Sequence, residues 1–115
     1  MYKIEINSGE EIIETLTNFL KKHGITEGAI VSVIGATGSC KVTSMHKNDA
    51  KKIIEKEYHE PLEITGTGEI ENGIPHIHAV FGREDQSAIH GHLEWGNVTD
   101  WFVHVYLLPL ETKSA

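Results

Sequence analysis

Residues 75–93, PHIHAVFGREDQSAIHGHL, hold two strands joined by a turn. Residues 76–81 and 87–93 read as the strands, and Gly82-Arg83-Glu84-Asp85-Gln86 between them as the turn. Side chains two apart on a strand share a face, so His76 with His78, and His90 with His92, each present two imidazoles together. In a hairpin centred near Glu84, His76 falls opposite His92 and His78 opposite His90, with all four rings on one face. Directly opposed β-carbons lie roughly 4.5–5.5 Å apart. Imidazoles that close can share one ion, with nitrogen about 2.0–2.1 Å from zinc. Three neutral imidazoles leave zinc one open position for water, whose pKa the ion lowers toward ~7. In the competing reading the histidines hydrogen-bond at a subunit interface or face solvent.

Working outward, residues 62–70 read as a strand that runs into Glu71-Asn72-Gly73, and Asn-Gly is a strong hairpin signal because both residues tolerate positive φ. Residues 98–108 form a hydrophobic last strand. Upstream, residues 2–7, 29–34 and 39–46 read as strands, with Gly35-Ala36-Thr37-Gly38 breaking the second run. Residues 51–57, with Ile53 and Ile54 adjacent, admit a short helix. The clearest helix follows Ser8-Gly9-Glu10-Glu11, which fits a capping box begun by Ser8. Ile12, Ile13, Leu16, Phe19 and Leu20 then form one apolar stripe, and Lys21, Lys22, His23 and Gly24 suit its C-terminal end. The fold class expected is α+β: a largely antiparallel sheet with one main N-terminal helix and helical cover.

The chain has 115 residues, so residues 1–115 are expected to form a single domain. Hydrophobic residues make up 39% and charged residues 23%, which argues against disorder. Net charge is −7, and an acidic surface repels phosphate backbones and anionic lipid alike. The densest basic stretch is Lys47, Lys51, Lys52 and Lys56, diluted by Asp49, Glu55 and Glu57; it reads as a solvated face or a contact surface for a partner. Cys40 is the only cysteine, so neither an intrachain disulfide nor a cysteine-only zinc site can form. MYKIEINSGE at the N-terminus carries no apolar signal core, and no apolar run is long enough to span a membrane. A cytoplasmic location without membrane association is the expectation.

Four other signals are weaker. Gly35-Ala36-Thr37-Gly38 lacks the GxGxxG and P-loop patterns and reads as a tight turn rather than a phosphate cradle. Cys40 near His46 reads as a buried structural thiol rather than a nucleophile. Trp95 and Trp101, flanking a Gly-Asn turn, read as anchors of a core or subunit interface rather than stacking platforms. Glu63, Glu69 and Glu94 lie near the histidine segments and read as solvated carboxylates, with acid–base work as the alternative.

The 75–93 block resembles the signature of the PPC family ("plants and prokaryotes conserved"): a proline, a His-x-His strand, an acidic turn, then Gly-Gly-His-Leu. Ser8-Gly9-Glu10, Ile34-Gly35-Ala36, Leu62-Glu63-Ile64 before Gly66 and Gly68, and the last strand to Pro109 fall in order with it. The resemblance covers almost the whole chain. It implies a sheet-and-helix subunit that forms a homotrimer. Prokaryotic members usually stand alone and are commonly described as DNA-binding by prediction. Plant members place the domain after a basic AT-hook; no Arg-Gly-Arg-Pro occurs here, and Arg83 is the only arginine. The resemblance makes His76, His78 and His92 the metal ligands and zinc the expected ion. His90 replaces the first glycine of Gly-Gly-His-Leu, and His104 stands where a glutamate is expected. Either reads as an extra ligand or a partner orienting one, and for His104 the favoured reading is a strand histidine hydrogen-bonded at an interface. The plant partner-binding segment corresponds to residues 60–65, where only Glu63 and Ile64 match.

The function expected is therefore a homotrimer that binds DNA or a regulatory protein partner and carries a divalent metal on its histidine cluster. The alternative is a metal-dependent enzyme or small-molecule binder using the same histidines. No substrate-specific motif supports the enzyme.

Overall fold

Most strands of this chain alternate buried and exposed side chains, and the computed structural model, which describes residues 1–115, gathers them into a single sheet. The elements run β1 (Tyr2–Ile6), α1 (Ile12–His23), β2 (Gly28–Thr37), β3 (Ser39–His46), β4 (Asp49–Tyr58), β5 (Leu62–Glu71), β6 (Ile74–Gly82), β7 (Ala88–Asn97) and β8 (Val103–Pro109). Across the sheet the order is β1-β8-β2-β5-β6-β7-β3-β4, and each neighbouring pair is antiparallel. The expected antiparallel sheet and N-terminal helix are present. The helical cover, however, is α1 alone, so β structure dominates more than an α+β reading implied.

Residues 51–57 belong to strand β4 and not to a short helix. β4 is an edge strand, paired only with β3, and most of its side chains are exposed. With little apolar surface to bury, it carries no clean two-residue pattern to read. Its Lys and Glu residues suit an edge that must not pair with another chain.

α1 buries Ile12, Leu16 and Leu20 against the inner face of the sheet, where Ile77, Phe81, Leu93 and Val105 meet them in one core. Each such side chain contributes roughly 1.5–3 kcal/mol by leaving water. Gly24 ends the helix at φ 64, as expected of a left-handed cap. The start differs from the expected capping box. Ser8 is not the cap: its hydroxyl donates to the Thr99 carbonyl. Glu11 caps instead, its carboxylate accepting from the amides of Ile13 (2.9 Å), Glu14 (2.9 Å) and, across the interface, Gly96 of β7 (2.9 Å). A Cβ at Gly96 would lie 2.9 Å from Ile12 Cδ1, so a side chain there would push the Ile12 methyl aside at the helix start.

Asn72 (φ 52) and Gly73 (φ 76) make the two-residue turn between β5 and β6 that their sequence announces. The molecule measures 42 × 38 × 19 Å, thin because one helix covers one face. The opposite face is open, and the histidines lie on it.

Candidate metal centre

In β6, Pro75, Ile77, Ala79 and Phe81 point into the core, which turns His76, His78 and Val80 outward. In β7, Gly91 and Leu93 point inward, which turns His90 and His92 outward beside them. A Cβ at Gly91 would fall 2.8 Å from Val42 Cβ, so its absence lets β3 close against β7 behind the histidines.

All four imidazoles share the open face, as the two-residue spacing requires. Their register differs from the expected one. His78, not His76, stands opposite His92, and His90 stands opposite Val80. The loop runs from Arg83 to Ser87, with Gln86 at φ 67 and the Arg83 amide donating to the Ser87 carbonyl at 2.9 Å. The hairpin is thus centred one residue later than Glu84, and each pairing slips by two.

The rings form a zigzag. Centroids are 5.8 Å apart for His76–His92, 6.1 Å for His92–His78 and 6.0 Å for His78–His90. His76 and the position facing His90 are four residues apart, about 13 Å along the strand. One ion therefore cannot take all four rings. His92 neighbours both His76 and His78, and these three remain the candidate set.

As they stand, no three His, Cys, Asp or Glu side chains are drawn together around one point. Two imidazoles on one zinc bring their ring centroids to roughly 5 Å. Closing the observed gaps takes about 1 Å, within reach of small rotations of surface side chains. The donor set fits a divalent cation on that condition. His92 is the best prepared ring: its partial burial lowers its pKa, Glu94 opposes that shift, and His76 and His78 add to it. A lowered pKa keeps the imidazole neutral, the form that ligates.

Two clefts flank His78. One of about 500 Å³ is lined by His78, His90, His92 and Glu94 together with Thr43, Met45 and Ile53 from the β3–β4 hairpin. The other, about 290 Å³, is lined by Thr67, Glu69, His76 and His78. Glu94 Oε1 lies 3.8 Å from His92 Nε2, and Glu69 pairs with His76 across the strands. Sequence reading misses Thr43, Met45 and Ile53, because they reach the site only through the pairing of β7 with β3.

The remaining candidates lie elsewhere. His104 is on β8, separated from β6 by β2 and β5, roughly 14 Å away at normal strand spacing. Its ring stacks on Phe102 at 4.2 Å, so it neither ligates nor orients the cluster within one chain. Glu63 is exposed on β5, but Ile64 is buried in the core and offers nothing to a partner. Gly35-Ala36-Thr37 continues β2 instead of ending it, and Gly96-Asn97 continues β7, leaving Trp101 in the next loop. Trp101 is 71% exposed. Cys40 is buried, and burial, with a smaller contribution from Glu60, pushes its thiol up to about 11. A thiol held protonated in this way is no nucleophile. His46 instead accepts a hydrogen bond from the Asn48 amide at 3.1 Å.

Residues 1–111 match the Plants and Prokaryotes Conserved (PCC) domain. No curated protein matches the sequence. Among solved structures, a plant- and prokaryote-conserved protein of Pyrococcus horikoshii is similar with TM-score 0.84 and 26% identity, over 97% of this chain and 79% of that one. A protein of Bacteroides thetaiotaomicron described as a candidate DNA-binding protein gives TM-score 0.78 and 32% identity, over 90% and 75%. A metal-containing protein of Archaeoglobus fulgidus gives TM-score 0.77 and 28% identity, over 98% and 81%. No helix of this chain is long and apolar enough to cross a membrane.

Proposed function

This chain belongs to the Plants and Prokaryotes Conserved domain family, and on that premise we propose that it is a homotrimeric binding module for DNA or a regulatory protein, holding a divalent cation, zinc, between His76, His78 and His92. The observation that carries the metal part is the zigzag of outward imidazoles with centroids 5.8 and 6.1 Å apart along His76–His92–His78. The described properties of the Bacteroides and Archaeoglobus relatives support the DNA and metal parts respectively. When bound, such an ion supplies a fixed positive charge and a Lewis-acid position for water or ligand. The chain's own part is to present the rings side by side on the open face of β6 and β7.

Metal content of unchelated protein, set beside His76→Ala and His92→Ala, tests the site. The wild type should carry zinc that both variants lose, and equal content in all three would remove the site. Light scattering tests assembly: a three-chain mass is expected, and a single-chain mass at micromolar concentration overturns it.

The cleft of about 500 Å³ beside His78, His90 and His92 favours a second reading, a metal-dependent enzyme or small-molecule binder. That reading predicts turnover or ligand uptake that chelation abolishes. DNA retardation that weakens steeply with salt supports the first.

A further inference from the structure

We propose that His90 gives this chain a second cation position, shared with His78 and distinct from the one that His76, His78 and His92 would form. The inference rests on the metal reading above and extends it. His90 faces Val80, so it lies about 13 Å along the strand from the level of His76, too far for one ion to bridge. Yet His90 is 6.0 Å from His78 between centroids, as close as the rings assigned to the first ion are to each other. The array therefore holds two overlapping sets of three, His76–His92–His78 and His92–His78–His90, each joined by two of these close ring pairs. The second opens on the cleft of about 500 Å³, where there is room for the waters that would complete a coordination shell.

The overlap dictates how the two positions interact. A neutral imidazole has one lone pair for a metal, so His78 serves one ion at a time. With both positions filled, the pairs separate as His76 with His92 and His78 with His90. The first ion then loses a ring, and Glu94, 3.8 Å from His92, is a carboxylate within reach to replace it. Loading the second position thus weakens the first, and by reciprocity the first weakens the second. Zinc should bind in two steps, the second weaker by roughly 5–150-fold, the usual span of coupling between sites.

The test is a calorimetric titration of chelator-stripped protein with Zn²⁺ alone, with bound metal counted by elemental analysis and folding checked by circular dichroism. His90 is exposed, so His90→Ala should fold normally. Wild type should take two ions per chain. His90→Ala should take one, at the tight step, and His76→Ala should take one on the remaining three rings. One ion in wild type, whatever His90→Ala does to its affinity, overturns the second position and leaves the first standing. Two ions in His90→Ala would put the second elsewhere and overturn it equally. No ion in wild type overturns both this inference and the metal reading beneath it.

Discussion

His78 and His92 face each other across the β6–β7 ladder with ring centroids 6.1 Å apart, and each has one further imidazole at its outer diagonal. They are the middle of the array, and His76 and His90 are its ends. An end ring can serve one ion position, whereas a middle ring can serve either.

His78→Ala should therefore be the most damaging single change for metal binding. It leaves His76 with His92 and strands His90 alone. Zinc affinity, measured by competition with a chromophoric chelator, should fall by more than the 10–100-fold typical of outer-shell changes. His90→Ala should leave the tight step within a few-fold of wild type. Unchanged affinity in His78→Ala would contradict a site that uses His78.

Acid should release the metal. A ligating imidazole must be neutral, and its ordinary pKa is about 6.5. Partial burial lowers the pKa of His92, with Glu94 opposing and the other rings adding. The unfolded chain therefore takes up its proton first as pH falls. Stability from this group is complete above about pH 6.5 and is lost as pH drops through the lowered folded value. Zinc retention measured from about pH 8 down to 5 should decline on the acid side, and metal-free His92→Gln should lose less stability there than wild type. Retention that stays flat well below that range would exclude imidazole ligands.

The helix start separates Glu11 from Ser8. Glu11 accepts from three amides, one of them on β7, whereas Ser8 donates to a loop carbonyl. Glu11→Ala should cost roughly 0.5–2 kcal/mol for the missing cap, with more for the stranded Gly96 amide. Ser8→Ala should cost less. Urea unfolding of both variants checks the order, and the reverse order would restore Ser8 as the cap.

Local chemistry is legible in the sequence where it acts alone. Asn72-Gly73 turns as expected, Gly24 ends α1, and the face shared by the four histidines follows from a period of two. Register is not legible. A slip by one residue would put the histidines in the core, but a slip by two preserves every face and leaves no trace in the pattern. Only the positive φ of Gln86 and the Arg83–Ser87 hydrogen bond decide it. His104 escapes sequence reading for a related reason: the order β8-β2-β5-β6, which sets it apart from the cluster, comes from pairings between distant segments. The local pattern points to Ser8 as the cap, and Glu11 takes the place with an added bond from the Gly96 amide, some eighty-five residues downstream of Glu11.

DNA contact under the proposed function should run through the end of the β3–β4 hairpin. Arg83 is paired with Glu60 at 3.1 Å and Lys41 with Glu55 at 3.1 Å, while Lys47, Lys51 and Lys52 are exposed and in no ion pair. With a net charge of −7, only such a local projection can approach a phosphate backbone without bringing the acidic surface with it. Removing one lysine–phosphate pairing should flatten the dependence of log affinity on log salt by roughly 0.9. Replacing Lys47, Lys51 and Lys52 together by Gln should abolish retardation of duplex DNA at low salt while zinc content and assembly mass stay unchanged. Retardation that survives the triple change would move the DNA-binding surface elsewhere on the molecule, and none by the wild type at low salt would leave the protein-partner reading.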